Sequence, residues 1–271
     1  SHILQRADRE LRGAKIICSY HDFDGTPRVP DIVSTMVDIA SHGHIAKAAF
    51  MVRSVEDLYN IVRAARLFSA TPNKFVVLGM GELGELTRLL PDRLGCAFTY
   101  ASLERGKETA PGQVDIATLK WVGERPIITG LTGQPLGHSL SMVMHDAAFK
   151  ALNIPGKYLS FPCRTEELGH LMDLMRELGL RGMNVTIPHK GAVMEHLDEV
   201  DTIARRVGAV NVVVNKDGHL IGTNTDVTGL ASAFGSAGAS VSKKRALVIG
   251  AGGAARAFCA CLLYTSDAAD D

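Results

Sequence analysis

The order of apolar and polar positions predicts alternating helices and strands in the first half of the chain. The spacing of Leu4, Ala7 and Leu11 is helical, and Ser54 with Asp57 predicts a capping box that opens a later helix. Four short apolar runs predict strands: KIICSY, IAKAAFMV, KFVVLGM and CAFTYAS. Because helices join these runs, we expect a parallel α/β sheet, either half of a (β/α)8 barrel or most of a doubly wound sheet.

A second α/β pattern follows a polar stretch, VDIATLKWVGERP, which we take as the domain boundary. Strands are predicted for PIITGLT, KYLSFP and GMNVTIP, with helices after each, two of them after the last. Alternating apolar residues around Asp217-Gly218 predict a hairpin. A helix from about Asp226 then leads to a predicted strand, RALVIG, and a glycine turn at Gly250.

Composition and charge narrow the classes of function. The 271 residues include 29 basic and 29 acidic side chains, and this balance favours neither a nucleic-acid nor a membrane partner. No apolar run reaches the ~18 residues that a membrane span requires. The five cysteines are scattered, which favours free thiols in a reducing compartment, and no pattern indicates a metal site. We expect a cytoplasmic protein, or a plastid protein if the source is a plant.

Two residues of the first half have reactive potential. His21 is placed at the end of a buried strand, the edge at which barrel active sites lie. Lys47 is placed inside an apolar strand, on the same face as Ile45 and Ala49, where burial would lower the pKa of its amine. Such an amine suits a Schiff base, with His21 as proton carrier. The pattern alone leaves open an edge-strand lysine that reaches solvent and a structural loop histidine.

The segments SYHDFDGTP, IAKAAFMVRS, LTRLL and ETAPGQ, in this order, resemble the second half of a type I 3-dehydroquinate dehydratase over residues 1–115. The resemblance implies a (β/α)8 barrel in which Lys47 forms the imine and His21 is the general acid/base. It implies that Arg88 binds the substrate carboxylate, and that Thr109 and Gln113 belong to a loop that closes over the substrate. The family's first four strands, with a glutamate that orients the histidine, have no counterpart in the printed sequence.

Polar residues of the second half lie where predicted strands end or helices begin. Two serines follow a glycine-rich loop, where hydroxyls and backbone N–H groups suit a carboxylate. The alternatives are ordinary ones: a serine helix cap, Asp226 as an N-cap and Lys190 as a solvated helix residue. The candidates are Ser139, Ser141, Asn184, Thr186, Lys190, Asn211, Asn224 and Asp226.

The motifs GHSLS, NVTIPHK, GAVNVV, NTDVTGL and GAGGAAR, in this order, resemble a shikimate dehydrogenase over residues 127–260. The resemblance implies that Ser139 and Ser141 bind the shikimate carboxylate and that Lys190 and Asp226 are the catalytic pair. Three further residues hold the ring hydroxyls or orient the pair: Thr186, Asn211 and Asn224. Met142 stands where the family usually has proline, a departure that leaves both serines in place.

The glycine turn indicates a dinucleotide. Gly250, Gly252 and Ala255 fit G-x-G-x-x-G/A directly after a predicted strand, so a pyrophosphate would lie at the helix N-terminus. The resemblance implies NADP as the cofactor, bound by Gly250, Ala251, Gly252, Gly253 and Ala254. Residues that select NADP over NAD are expected about 20 positions further on.

The two families catalyse consecutive steps, from 3-dehydroquinate through 3-dehydroshikimate to shikimate. We therefore expect the middle of a bifunctional enzyme, inactive as printed, with four parts: 1–123 from the barrel, 124–229 the shikimate-binding domain, 230–260 the start of a Rossmann domain and 261–271 a non-native tail. The tail could instead be a divergent helix end. Alternatives are part of a larger multifunctional polypeptide, a quinate-preferring dehydrogenase and a non-catalytic shikimate-binding module.

Overall fold

The structure is a computed structural model that describes residues 14–239 and 245–267, with side chains as far as Leu262. The helix predicted at Leu4–Leu11 lies outside the described residues. The chain divides into two compact units, residues 1–128 with 140–161 and residues 129–139 with 162–271. No described helix has the length and apolar character that crossing a membrane requires.

Helices and strands alternate along the chain, as the apolar pattern predicts. The strands are β1 Ile17–Asp22, β2 Ile45–Met51, β3 Lys74–Met80, β4 Ile127–Gly133, β5 Gly156–Pro162, β6 Gly182–Val185, β7 Glu199–Val200, β8 Val212–Lys216 and β9 His219–Thr223. The helices are α1 Val29–Ala40, α2 Val55–Ser69, α3 Glu85–Leu89, α4 Pro91–Leu94, α5 Ile116–Val122, α6 Ser141–Ala151, α7 Leu168–Glu177, α8 Thr202–Val207, α9 Asp226–Ser236 and α10 Gly253–Asp267.

A parallel sheet in the order β1-β2-β3 forms the centre of the first unit. All of β2 is buried apart from its last residue, because helices cover one face and loop side chains cover the other. The predicted capping box is confirmed: Asp57 N–H donates to Ser54 Oγ at 3.1 Å, and Ser54 N–H donates to the Asp57 carboxylate at 3.2 Å. This reciprocal pair satisfies two N–H groups at the start of α2 that would otherwise lack partners.

The predicted fourth strand, CAFTYAS, is wrong. Ala97 N–H donates to Phe75 O on β3 at 2.8 Å, but no ladder continues from this contact. Phe98 and Tyr100 instead pack edge-on against each other, 5.5 Å apart, over the face of the sheet. The apolar character of this run therefore reflects packing on a sheet rather than membership of one.

The second unit contains a mixed sheet. Its strands lie in the order β4-β6-β8-β9-β7. β8 is antiparallel to both β6 and β9, whereas β4 is parallel to β6 and β7 is parallel to β9. The hairpin prediction is confirmed, since Asp217 and Gly218 both have positive φ, 54° and 95°, as a tight two-residue turn requires. The first of the two helices predicted after β6 is a 3-10 helix, Ala192–His196.

The strand predicted for RALVIG is also wrong. Residues 245–250 are extended without pairing, and Leu247 and Ile249 are 88% and 91% exposed. A strand needs a neighbour for its backbone hydrogen bonds, and no described strand lies beside this segment. The helix after the turn does form as α10, and it packs on α8 and α9 through Ala257 and Cys261.

Candidate active sites

Lys47 and His21 lie next to each other on neighbouring strands of the first unit. The prediction that His21 ends a buried strand is wrong: β1 is at the edge of the described sheet, and most of its residues, His21 included, are exposed. Lys47 is opposite Ser19 of β1, and His21 lies two residues beyond Ser19, so both side chains are on one face of the sheet. Lys47 Nζ is 2.7 Å from His21 Nε2, within hydrogen-bond distance. Lys47 is only 9% exposed, so the edge-strand alternative of a solvated lysine does not describe it.

Partial loss of hydration and a neighbouring positive charge lower the pKa of both groups of this pair. Removal from water lowers the pKa of Lys47, and the positive charge of Arg88 lowers it further. Burial, followed by the charge of Lys47, lowers the pKa of His21. Both shifts favour uncharged forms, which leaves a nucleophilic amine beside an imidazole able to accept a proton.

Arg88 lies on the same cavity as the pair. It is 2% exposed, and among the described residues its buried Nε atom has no hydrogen-bond partner. A buried guanidinium with an unsatisfied donor suits a bound carboxylate, because a charged acceptor would supply the missing hydrogen bond. The cavity has a volume of about 220 Å³ and is lined by His21, Phe23, Lys47, Ala49, Leu78, Met80, Arg88, Tyr100, Thr109, Ala110 and Gln113.

The loop that carries Thr109 and Gln113 is held by hydrogen bonds within the loop and by a hydrogen bond to the residue after β3. Thr109 donates from its N–H and from its hydroxyl to Gln113 Oε1, at 2.8 and 3.1 Å. Gly81 N–H donates to Pro111 O at 3.0 Å, and a Cβ at Gly112 would lie 2.0 Å from the carbonyl oxygen of Gly81. Glycine at 112, with φ +70°, therefore permits the close approach of this loop to the end of β3.

Two aromatic residues of this cavity were not identified from the sequence. Lys47 Nζ lies 5.1 Å from the centre of the Tyr100 ring, and Phe23 stacks on His21 with 6.1 Å between ring centres. Phe23 follows His21 by two positions, a spacing that puts both on one strand face. The sequence gives no such signal for Tyr100, because it lies in CAFTYAS, which is predicted to be a strand without an indication of which side chains face the cavity.

Lys190 and Asp226 form an ion pair in the second unit. Lys190 Nζ donates to Asp226 Oδ2 at 2.6 Å, and the two side chains are 20% and 29% exposed. Asn211 Nδ2 donates to the other carboxylate oxygen at 2.7 Å, while Asn211 Oδ1 accepts from Thr225 N–H at 2.8 Å. The carboxylate is thus held from both oxygens, and its distance to Lys190 is fixed.

Asn224 is a buried residue that helps to fix the backbone of Asp226. It is 2% exposed; its Nδ2 donates to Ala209 O at 2.8 Å, and its Oδ1 accepts from Asp226 N–H at 3.0 Å. Because both ends of the amide have partners within the protein, the structure favours the orienting role for Asn224 over contact with ring hydroxyls.

The remaining predicted residues lie at strand ends and a helix start. Thr186 follows β6, with its N–H donating to Thr132 O at 2.9 Å, and Ser139 lies in the loop after β4. Ser141 is the first residue of α6 and forms a side-chain hydrogen bond with Tyr158, whose pKa burial raises to about 12. Ser141 belongs to the first compact unit, and the other residues of this set belong to the second.

The glycine turn lies beside the ion pair. Gly250 has φ +112°, and a Cβ at Gly250 or Gly252 would meet no atom within 4 Å, which leaves their backbone open to a ligand. At the start of α10, a Cβ at Gly253 would lie 3.1 Å from Lys190 Cδ. A cavity of about 420 Å³ adjoins the turn; its lining includes Arg206, Gly250, Ala251, Ala255 and Arg256. Open N–H groups, a helix N-terminus and two arginines suit a pyrophosphate.

Two family models match the chain. Residues 2–122 match the model of type I 3-dehydroquinase, and residues 131–213 match the shikimate dehydrogenase substrate binding domain. Among curated relatives, the shikimate dehydrogenase (NADP(+)) of Bacillus mycoides (strain KBAB4) is 51% identical over 129 residues, which are 47% of each chain. The chain therefore spans about half the length of the curated relatives it matches.

Solved structures agree with the second match. Shikimate dehydrogenase from Aquifex aeolicus is 35% identical with a TM-score of 0.51, over 53% of this chain and 54% of that one. A chorismate mutase/shikimate 5-dehydrogenase fusion protein from Clostridium acetobutylicum is 34% identical with a TM-score of 0.50, over 52% of each chain. Residues 2–122 are thus similar to the type I 3-dehydroquinase family, and residues 131–213 are similar to the substrate-binding domain of the shikimate dehydrogenase family.

Proposed function

We propose that the two regions serve consecutive reactions of the shikimate pathway: dehydration of 3-dehydroquinate to 3-dehydroshikimate, and reduction of 3-dehydroshikimate to shikimate. The observation that carries the proposal is that each matched region contains a lysine whose side chain contacts a partner suited to the reaction, although Asp226 itself follows the second matched region. Lys47 contacts His21, and Lys190 contacts Asp226.

In the dehydration, Lys47 would act as a nucleophile. Its neutral amine adds to the ketone carbon, and loss of water from the carbinolamine leaves an imine that draws electrons from the adjacent C–H bond. His21 takes that proton, the electrons form the new C=C bond, and the proton leaves with the departing hydroxyl as water. Hydrolysis of the imine releases 3-dehydroshikimate and restores Lys47.

Arg88 and the loop residues would position this substrate. The unsatisfied Nε of Arg88 would donate to the substrate carboxylate. Thr109 and Gln113 line the same cavity and would exclude water from the imine.

In the reduction, Lys190 would supply the proton. The ketone oxygen gains negative charge as hydride reaches its carbon, and the Lys190 ammonium stabilises that charge and protonates the oxygen. Asp226, held by Asn211, keeps the ammonium in place. Ser139 and Ser141 would bind the carboxylate of the substrate, and Thr186 would contact its ring hydroxyls.

The cofactor of this reaction would be NADP, as in the NADP(+)-dependent relatives, and its reduced form, NADPH, would supply the hydride. The open backbone at Gly250 and Gly252, followed by Gly253 at the start of α10, fits the pyrophosphate. Ala251 and Ala254 complete the turn. The contact of Gly253 with Lys190 would put this turn next to the proton donor.

The domain boundaries belong to the same proposal: 1–123 for the dehydratase region, 124–229 for the shikimate-binding domain, 230–260 for the start of the dinucleotide domain and 261–271 for a non-native tail. The partners would be small molecules, with neither nucleic acid nor membrane among them. A cytoplasmic or plastid setting fits five free cysteines.

In a bifunctional protein that carries both complete domains, single-residue variants test the two assignments separately. Borohydride added with 3-dehydroquinate should trap an adduct on the peptide that contains Lys47, and Lys47→Ala should lose it while shikimate binding persists. Lys190→Ala should lower the rate of shikimate oxidation far more than it weakens shikimate binding, since a transition-state contact acts on kcat. An adduct on another lysine would refute the imine assignment.

A further inference from the structure

A buried histidine directly precedes Lys190. His189 is 1% exposed and lies in the segment NVTIPHK, yet it has no role in the proposed reaction. Its Nε2 lies 2.7 Å from the carbonyl oxygen of Cys163, which follows β5. A carbonyl oxygen only accepts, so Nε2 carries the hydrogen and donates it.

The backbone of His189 is fixed as well. Its N–H donates to Thr186 O at 2.9 Å, and its carbonyl oxygen accepts from Val193 N–H at 2.9 Å. Together with the ring contact, these bonds hold the residue at three points. The ring bond alone reaches a distant part of the chain, 26 residues away.

Because Lys190 is the next residue, the fixed backbone of His189 also fixes the position of the Lys190 backbone. Its carbonyl oxygen accepts from Val210 N–H at 2.7 Å, and its ammonium reaches Asp226 at 2.6 Å. A lysine side chain is flexible but of fixed length, so the ion pair forms only where the backbone holds the Lys190 Cα within reach of Asp226. Rotation of the preceding residue would move that Cα away from Asp226.

We propose that His189 is a positioning residue for Lys190: its Nε2–H bond to the Cys163 carbonyl holds the turn that presents the ammonium to Asp226. The catalytic meaning of this placement rests on the proposed dehydrogenase function. The placement itself does not, because it follows from contacts among the protein's own residues.

The alternative is that His189 merely fills space in the core. Two amide substitutions separate the possibilities, since the glutamine amide reaches the position of Nε2 whereas the asparagine amide is one carbon shorter. His189→Phe keeps an aromatic ring without a donor. Val193→Ala is the matched control, because Val193 is fully buried on the same turn but its side chain makes no hydrogen bond.

The readout is the reactivity of Lys190 in the 271-residue chain. Limiting acetic anhydride, followed by peptide mass spectrometry, gives the acetylation of Lys190 relative to exposed Lys216. His189→Phe and His189→Asn should raise this ratio about fivefold, the factor expected for loss of one ordinary hydrogen bond. His189→Gln and Val193→Ala should keep it within about twofold of the unsubstituted chain. Circular dichroism identifies any variant that fails to fold. If His189→Phe fails to fold, His189→Asn alone provides the test.

Shikimate titrated into the same proteins gives a second readout. Weaker binding in His189→Asn than in His189→Gln supports the positioning role at the site. If the unsubstituted chain binds no shikimate, the proposed function fails while the acetylation result still decides the role of His189. Equal acetylation in all variants, or an increase in Val193→Ala as large as in His189→Phe, would overturn the proposal.

Discussion

The two candidate sites each depend on one lysine, and the surroundings of these lysines differ. Lys47 extends from the middle of a buried strand, with Arg88 as its charged neighbour and His21 as its hydrogen-bond partner. Lys190 extends from a turn after a strand end, is more exposed, and faces a carboxylate. Burial beside a cation disfavours an ammonium, whereas a carboxylate at 2.6 Å stabilises one.

Under the proposed function, this difference would let one residue type serve two reactions. A nucleophile must be uncharged, and the lowered pKa of Lys47 provides that form nearer to neutral pH. A proton donor to a developing oxyanion must be charged, and the fixed carboxylate of Asp226 holds such a donor in place. The sheet position and the nearest charge, rather than the lysine itself, determine the chemistry.

The largest expected effect comes from removing the carboxylate charge of Asp226, which Lys190 faces and Lys47 does not. Asp226→Asn keeps the shape of the side chain but takes the countercharge from Lys190. Loss of a positioned acid–base partner lowers kcat by roughly 10²- to 10⁴-fold, so shikimate oxidation should fall by that order with little change in KM. Steady-state kinetics of a protein that carries the complete dehydrogenase domain measures both quantities.

The borohydride adduct on Lys47 should be unaffected by Asp226→Asn, since Lys47 and Asp226 belong to different units. A variant that changes KM alone would assign Asp226 to substrate binding instead. Equal loss of both reactions would mean that the two lysines are not independent.

Arg88→Met tests the opposite influence at Lys47. Burial, the larger cause, remains, but loss of the guanidinium charge should raise the pKa of Lys47. Each unit of pKa changes the fraction of neutral amine about tenfold, so acetylation of Lys47 near pH 7.5 should slow by up to about tenfold. The pH profile of labelling, measured without substrate, should move to higher pH.

Arg93→Met is the matched control for this variant. Arg93 is also partly buried in the first unit, but its charge is not among the causes of the Lys47 shift. An unchanged profile in Arg88→Met, or an equal shift in Arg93→Met, would show that burial alone governs Lys47.

Asn211→Ala should have an intermediate effect on the second site. Asn211 bonds one oxygen of Asp226, so its loss leaves the ion pair intact but frees the carboxylate to rotate. Loss of one hydrogen bond corresponds to about fivefold, and we expect a decrease in kcat of that size. Asn215→Ala, which removes an amide whose hydrogen-bond partners are Met175 and Gly218, should leave kcat unchanged. Equal effects of the two variants would indicate general loss of stability.

The sequence predicted the α/β class and most elements because apolar runs and caps are local signals. It failed at CAFTYAS and RALVIG, since a strand is defined by its neighbour, which a single run does not reveal. Motif order placed Lys47 near His21 and Lys190 near Asp226. It could not place Tyr100, whose contact with Lys47 depends on how residues 96–101 cross the sheet rather than on any spacing.

Tyr100 gives the smallest expected effect and the finest test of the comparison. Its ring lies 5.1 Å from Lys47 Nζ, a distance at which the ring face attracts an ammonium. This contact opposes burial and Arg88, so Tyr100→Leu should lower the pKa of Lys47 further and speed its acetylation about two- to fivefold, as expected for a contact of ~0.5–1 kcal/mol. Tyr100→Phe retains the ring and should label at the original rate. If the Phe and Leu variants are both acetylated faster, the hydroxyl of Tyr100 is responsible. If neither is, the ring contact does not change the pKa of Lys47, and burial and Arg88 alone lower it.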